Sequence, residues 1–327
     1  MADKKTALVI SAHSADFVWR AGGAIALHQA KGYDVTVVCL SYGERGESAK
    51  LWKQEGMTLD KVKTERRKEA ENAAAALGVN DIRFFDVGDY PLDLGRDTQD
   101  RMVDVIREVQ PKFMMSHSKW DPYNTDHMYM TQVALEARMI AQAWGHNPGE
   151  KVLGAPQLYL FEPHQTEQMG WKPDHFLDIT SVWDKKRKAM ECNEGQIHLW
   201  EYYTRVAQQR ANHFKRNSGG QSGGRDCKFA EGFQSICRLV FCEGFHANGP
   251  IIAHVRKCPR DHRPVHVTSP RFAAAGIIGN LHFADPRLAG LGVADHVSFS
   301  DLGVVEIEIN TQLRAINGRN ERQDINR

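Results

Sequence analysis

Short apolar segments alternate with longer amphipathic segments along the first half of the chain. Residues 6–12 and 35–40 are nearly continuous apolar runs, which is typical of strands that a parallel sheet buries on both faces. Residues 17–31 and 59–77 carry apolar side chains at helical spacing, and each segment is followed by a glycine. Further strands are predicted over 82–87, 113–117, 158–161 and 176–179, and further helices over 97–109, 126–144, 199–215 and from Ser181 onward. This alternation predicts an α/β fold with a doubly wound, mostly parallel sheet flanked by helices.

The last part of the chain lacks this alternation. Residues 237–327 show no regular succession of strands and helices, and a glycine-rich segment over 217–225 precedes them. That segment is either a loop that covers a substrate or a linker. We therefore predict a catalytic domain over residues 1–236 and an atypical C-terminal extension of uncertain fold over residues 237–327.

Polar side chains collect where the predicted strands end. In chain order these candidates are His13 and Asp16, Glu44 and Glu47, Asn124, Asp126 and His127, and finally His164. In a doubly wound sheet the ligand lies beyond the carboxyl ends of the strands, so we expect these side chains to share one crevice. The first strand–helix turn contains no GxGxxG sequence, which argues against a bound dinucleotide.

Two imidazoles and one carboxylate of this group suggest a metal site. His13, Asp16 and His127 would leave one position open on a tetrahedral Zn²⁺ ion, which is the arrangement of catalytic zinc sites. A single histidine after a strand is more often a hydrogen-bonded turn residue, so the interpretation depends on the two clusters together. Zinc is the predicted cofactor, although the same ligands would also accept iron, cobalt or manganese.

The charge balance excludes some classes of partner. The 327 residues include 42 basic and 41 acidic side chains, so no overall field attracts nucleic acid or an anionic membrane. No apolar run approaches the roughly 20 residues of a membrane span, and the apolar run near the N-terminus is too short for a signal peptide. We expect a cytoplasmic protein that binds a small molecule, with no nucleic-acid or membrane partner, and we expect a homo-oligomer.

Four segments of the chain resemble the LmbE-like/PIG-L family of zinc-dependent N-deacetylases. The resemblance is carried by residues 12–16, 43–46, 124–127 and 229–233. The first motif of the family is Ala-His-Pro-Asp-Asp-Glu and the second is His-x-Asp-His. The resemblance covers roughly residues 5–236 and implies a Rossmann-like fold. It also implies zinc ligation by His13, Asp16 and His127.

The chain departs from the family motifs at two positions. Ala15 stands where the family has its general-base aspartate, and Asn124 stands where it has the histidine that helps to stabilise the oxyanion. Positioned proton transfer contributes about 10²–10⁴-fold to a rate, so a deacetylase without both groups should be slow. An N-deacetylase acting on an amino sugar or a related amide is therefore only the alternative function.

Longer segments resemble a hydratase branch of the same family. They cover residues 11–20, 41–50, 121–127, 161–165, 179–186 and 198–205. This resemblance implies a lyase that adds water to a carbon–carbon double bond of a small unsaturated tricarboxylate, in the catabolism of gallate and protocatechuate. Nothing in the family accounts for the chain beyond residue 236.

That chemistry requires a base for water, an acid for carbon and cations for the carboxylates. Glu47 is the predicted base, with Glu44 as its substitute, and His164 is the predicted acid because histidine titrates near neutral pH. Asp126 is expected to orient a ligand, and Asn124 to support the site or bind substrate. The candidate cations are Arg20, Arg45, Lys119, Arg205 and Arg225.

Overall fold

The sheet and helices follow one another in the order that the hydrophobic pattern predicts. The computed structural model describes residues 5–218 and 226–236, together with the backbone of two short strands further on. The strands of the main sheet are β1 Thr6–Ser11, β2 Asp34–Cys39, β3 Asp81–Phe84, β4 Phe113–Ser116, β5 Gln157–Phe161, β6 His175–Asp178 and β7 Ala230–Ser235. The helices are α1 Asp16–Ala30, α2 Ala49–Trp52, α3 Leu59–Leu77, α4 Arg96–Val109, α5 Thr125–Ile140, α6 Trp183–Glu191 and α7 His198–Asn217.

The seven strands form one sheet with the order β3-β2-β1-β4-β5-β7-β6. Neighbouring strands from β3 to β5 are parallel, whereas β7 runs antiparallel to both β5 and β6. The prediction of a doubly wound, mostly parallel α/β sheet is confirmed. The strand order reverses between β1 and β4, and ligands of such sheets bind at this switch point.

The central strand β1 is buried on both faces, which explains its continuous apolar sequence. Ala7 and Val9 pack in the core that contains residues of α1 and α3. Leu8 and Ile10 pack in the core on the opposite face, with residues of α4 and α5. Because helices cover both faces of β1, a ligand can reach this strand at its carboxyl end but not across a face.

The predictions missed two features near the C-terminal edge of the sheet. The helix expected from Ser181 is instead a short 3-10 turn over Thr180–Val182 followed by α6, which has nine residues. Thr180 holds the turn, because its hydroxyl oxygen accepts hydrogen bonds from Lys228 N and Phe229 N. Strand β7 was not predicted, since its pairing with β5 and β6 depends on distant parts of the chain.

The chain divides into two compact units, Met1–His246 and Ala247–Arg327. In the second unit, the strands β8 Val297–Phe299 and β9 Val305–Ile307 form an antiparallel pair. Most of the predicted extension and residues 219–225 lie outside the described residues, so the domain boundary at residue 236 stays a prediction. Within the described part of the chain, no helix combines the length and the apolar composition needed to cross a bilayer.

Candidate functional site

The first polar cluster lies in the turn between β1 and α1. His13 and Asp16 are both buried, and Asp16 is the first residue of α1. The backbone N–H of His13 donates to Asp16 Oδ2 at 2.9 Å, and His13 Nδ1 lies 3.1 Å from the same oxygen. This turn holds the carboxylate at a helix N-terminus, where the helix dipole stabilises negative charge.

The second cluster is built by the start of α5. Asn124 caps this helix, because its Oδ1 accepts the backbone N–H of Asp126 at 3.1 Å. His127, the third residue of the helix, has its Nδ1 2.9 Å from Asp121 Oδ2. In the neutral tautomer whose Nδ1–H donates this hydrogen bond to the carboxylate, the lone pair of His127 is on Nε2. That buried Nε2 has no hydrogen-bond partner among the described residues, and it lies 3.5 Å from Asp16 Oδ1.

The two clusters and the loop after β2 meet at the switch point of the sheet. One potential ligand atom from each of His13, Asp16, Glu47 and His127 lies within 4.8 Å of the other three. Individual contacts are 3.2 Å from His13 Nδ1 to Glu47 Oε1 and 3.5 Å from His127 Nε2 to Asp16 Oδ1. Ligands at about 2.0–2.2 Å from a tetrahedral ion would be roughly 3.3–3.6 Å apart. The donor set and the unpartnered Nε2 therefore fit a divalent metal.

The charges of this cluster are strongly coupled. Burial alone would lower the pKa of His13, but the carboxylates of Glu47, Asp126 and Asp16 outweigh it and raise the pKa well above its usual value. Burial alone would raise the pKa of Asp16, yet His127 and His117 lower it well below the usual value. Glu47 is affected in the same way, since His13 lowers its pKa against the effect of burial. The cluster thus concentrates ionised carboxylates, which attract a cation.

Asp126 links the metal cluster to the loop after β3. Its Oδ2 lies 3.3 Å from His13 Nε2 and accepts the backbone N–H of Tyr90 at 3.0 Å. Its Oδ1 accepts the backbone N–H of Leu92 at 3.1 Å. With Nε2 of His13 directed at Asp126, Nδ1 faces Asp16 and Glu47. This is the geometry expected of a carboxylate that orients a metal-binding histidine.

Several known proteins share this sequence and fold. A family model described as PIG-L, GlcNAc-PI de-N-acetylase, matches residues 8–138. The chain is 61% identical over 233 residues to a 4-oxalmesaconate hydratase of Pseudomonas putida, which covers 71% of this chain and 90% of that protein. The chain belongs to the PIG-L family.

Solved structures extend the similarity to the fold. The crystal structure of a 4-carboxy-2-hydroxymuconate hydratase from Pseudomonas putida has a TM-score of 0.70 at 61% identity, covering 72% of this chain and 98% of that one. An N,N'-diacetylchitobiose deacetylase from Pyrococcus horikoshii has a TM-score of 0.59 at 25% identity, covering 72% and 84%. The PIG-L fold is therefore shared by proteins named as hydratases and proteins named as deacetylases.

The two departures from the PIG-L motifs lie inside the cluster. Ala15 is buried and precedes α1 without any side-chain cap. The side chain of Asn124 is engaged on both sides, by the backbone N–H of Asp126 and by the hydroxyl of Tyr90 at 3.0 Å. Neither residue can exchange a proton as the aspartate and histidine of the family motifs can.

The structure separates the two carboxylates of the loop after β2. Glu47 contacts His13, whereas Glu44 is buried beside Tyr42 and Lys63. Glu44 Oε2 accepts the backbone N–H of Tyr42 at 3.1 Å, and its Oε1 lies 3.9 Å from Lys63 Nζ. Burial raises the pKa of Glu44. Glu47 is thus the carboxylate of this loop that joins the cluster.

His164, the predicted acid, lies beside the cluster in surroundings that lower its pKa. The rings of His164 and His127 are 6.2 Å apart between centroids. Burial, Arg20 and His127 lower the pKa of His164 to about 4. These surroundings disfavour the imidazolium form of His164, and its role as the acid stays a prediction.

Of the predicted cations, Arg20 is the one in contact with the cluster. It is buried, with its Nε donating to Asp16 Oδ1 at 3.4 Å and its Nη1 donating to the carbonyl oxygen of Glu162 at 2.6 Å. Within the part of the chain that the structure describes, its Nη2 has no hydrogen-bond partner, and it lies 3.9 Å from Asp121 Oδ2. A buried guanidinium with an unused nitrogen can bind a carboxylate.

The other predicted cations occupy different surroundings. Arg45 Nη1 donates to the carbonyl oxygen of Asp89 at 2.9 Å, and Arg205 is exposed with its Nε donating to Glu201 O. Lys119 is exposed in the loop after β4. Arg225 lies outside the described residues. Their role in binding substrate stays a prediction.

Sequence reasoning gave Asp121 no role, and it expected His117 only to line or support the second cluster. His117 Nε2 accepts the backbone N–H of Ala12 at 3.0 Å, and its ring stacks on His127 with 4.2 Å between centroids. Its pKa is well below the usual value because of burial and His127. Both residues follow β4, so their place at the same sheet edge was the signal that could have identified them.

Proposed function

We propose that this chain is a metal-dependent hydratase. The reaction is the addition of water to the double bond of 4-oxalomesaconate (4-carboxy-2-hydroxymuconate), which gives 4-carboxy-4-hydroxy-2-oxoadipate. One observation carries the proposal: four potential metal ligands converge at the switch point, while Ala15 and Asn124 replace the proton-transfer groups of the deacetylase motifs. The 61% identity to proteins with hydratase names supports the same choice over deacetylation.

Zinc is the proposed metal, held by His13, Asp16 and His127. When bound, it would polarise an oxygen of the substrate or lower the pKa of water. Glu47 is close enough to His13 to serve as a further ligand or to remain free as a base. Asp121 and Asp126 would orient the two histidines through their second ring nitrogens.

Hydration forms one C–O bond and one C–H bond, while the π bond of the substrate and one O–H bond of water are broken. In our proposal, Glu47 takes the proton from water at a carboxylate oxygen, because its pKa lies below the usual range and it is ionised at pH 7. His164 delivers a proton to carbon. The substrate carboxylates would raise the pKa of His164 from about 4, since nearby negative charge favours the imidazolium. Arg20 would bind one of those carboxylates through Nη2.

We place this reaction in gallate and protocatechuate catabolism in the cytoplasm.

We also propose that the protein is a homo-oligomer. Size-exclusion chromatography with light scattering would test it, and a strictly monomeric protein would contradict it.

The decisive test is the ultraviolet absorbance of 4-carboxy-2-hydroxymuconate after addition of the zinc-loaded protein. A chelated sample serves as the control, and diacetylchitobiose in a parallel assay reports deacetylation. We expect zinc-dependent bleaching with formation of the hydroxy-oxoadipate and no release of acetate. Release of acetate without bleaching by the folded, metal-loaded protein would favour the deacetylase and overturn the proposal.

A further inference from the structure

Tyr90 is a half-exposed side chain that is nevertheless fixed at several points beside the metal cluster. It is 49% exposed, and its backbone N–H donates to Asp126 Oδ2 at 3.0 Å. Its ring lies against the backbone of Gly46, where an added Cβ would come within 2.0 Å of the ring. Its hydroxyl is 3.0 Å from Asn124 Nδ2. These contacts hold the aromatic ring in one place at the border of the site.

The hydrogen bond to Asn124 determines the polarity of the Tyr90 hydroxyl. Asn124 Oδ1 accepts the backbone N–H of Asp126, so the amide Nδ2 is the donor toward Tyr90. The hydroxyl oxygen accepts this bond, and its own hydrogen can be donated elsewhere. Within residues 5–218 and 226–236, no acceptor for that hydrogen is found.

The ring of Tyr90 also lies beside a predicted ligand of the cluster. The ring centroids of Tyr90 and His13 are 5.8 Å apart. Burial and the negative charge of Glu47 raise the pKa of Tyr90 to about 12, so the phenol stays protonated. The side chains around it include the carboxylates of Asp16 and Asp126, which repel an anion. A substrate with three carboxylates therefore needs hydrogen-bond donors at this border.

We infer that Tyr90 is a substrate-binding residue whose hydroxyl donates a hydrogen bond to a carboxylate of the bound tricarboxylate. Asn124 acts as its positioning residue, because its amide occupies the acceptor side of the hydroxyl. This inference rests on the proposed function, since it assigns the recognition of that substrate. Asn124, which replaces the histidine of the second motif, would then serve to orient the Tyr90 hydroxyl and not to transfer a proton.

The test compares the kinetics of Tyr90→Phe and the wild-type protein with 4-oxalomesaconate, together with zinc content. A hydrogen bond to a charged group is removed, so we expect KM to rise about tenfold or more, with a smaller change in kcat and unchanged zinc. Tyr123→Phe is the matched control. Tyr123 is also 49% exposed, but its hydroxyl already donates to Gln168 Oε1 at 2.7 Å, so KM should stay unchanged.

Gly46→Ala provides a second variant that leaves Tyr90 chemically intact. The new methyl group would displace the ring, so the same rise in KM is expected. A wild-type protein that does not consume the substrate overturns the proposed function and this inference with it. An active wild-type protein whose KM is unaffected by Tyr90→Phe overturns the inference alone. A loss of zinc in Tyr90→Phe also overturns it, because Tyr90 would then act through the metal cluster.

Discussion

Helix α1 takes part in two buried charged clusters that differ in how completely their polar atoms are paired. At its N-terminus, Asp16 lies among histidines and carboxylates of four loops. Four buried atoms of this region have no hydrogen-bond partner in residues 5–218 and 226–236, namely Arg20 Nη2, His117 Nδ1, Asp121 Oδ1 and His127 Nε2. Burial of these atoms costs free energy that the described contacts do not offset. A bound ligand or ion would supply the missing partners.

Further along α1, the pair formed by Lys186 and Glu231 is fully satisfied. The two groups are 2.6 Å apart, and Lys186 also donates to the carbonyl oxygen of Trp19. Glu231 accepts the backbone N–H groups of Gly23 and Ala24 at 2.8 Å each. A closed network of this kind stabilises the packing of α1 against α6 and β7. The comparison shows that burial of charge marks a candidate site only where donors or acceptors remain unused.

His127→Ala should produce the largest effect, because it removes a predicted ligand from the open cluster. We expect loss of bound zinc and a fall in turnover of at least about a hundredfold, since even residues that only support a ligand cost 10–100-fold. Zinc content and hydratase activity would be measured together. His146→Ala, at a histidine beside Asp100, is the control. Full activity with zinc retained would contradict the assignment of His127.

Glu47→Ala tests whether the loop carboxylate acts on protons or on the metal. We expect turnover to fall about 10²–10⁴-fold with zinc content unchanged, as for removal of a general base. Glu44→Gln, on the same loop, should have a much smaller effect because Glu44 faces Lys63. A parallel loss of zinc would instead identify Glu47 as a ligand.

Lys186→Met probes the closed cluster and should change stability rather than metal binding. Removing one partner leaves the Glu231 carboxylate buried without its cation, so the free energy of unfolding should fall by about 3–5 kcal/mol. Arg187→Met is the matched control, since Arg187 pairs with Glu191 at the surface and should contribute at most about 1 kcal/mol. Denaturant unfolding and zinc content per folded protein would be measured. If zinc is lost while stability is kept, the distinction between the two clusters is wrong.

His28, near the end of α1, should give the smallest effect. Burial lowers its pKa to about 4, whereas the unfolded chain has the usual value near 6.5. The unfolded state therefore binds the proton first, and stability present above pH 6.5 is lost as the pH falls toward 4. His28→Asn should remove on the order of 2 kcal/mol of this dependence at pH 5. Unfolding curves of both proteins at pH 7.5 and 5 would check it, and parallel pH profiles would contradict it.

Local patterns predicted the elements well where each segment contains its own signals. Helix α3 begins and ends where the sequence predicts, because Thr58 caps its N-terminus and Gly78 adopts a left-handed conformation after its last residue. The burial of β1 on both faces follows from its continuous apolar run. By contrast, α6 begins at Trp183 and not at the predicted Ser181. Hydrogen bonds of the Thr180 hydroxyl with residues near β7 hold a 3-10 turn before it.

The candidate site was predictable only in part, because many of its contacts join segments that are far apart in the sequence. The amino-acid sequence by itself determined the alternation of strands and helices and therefore placed His13, Asp16, Glu47 and His127 at one edge of the sheet. Only the tertiary structure decided which of two loop glutamates faces His13, which ring nitrogen of His127 stays unpaired, and that Tyr90 stands over Gly46. Periodicity and turn chemistry are local, whereas these distinctions depend on side chains brought together from distant segments by packing.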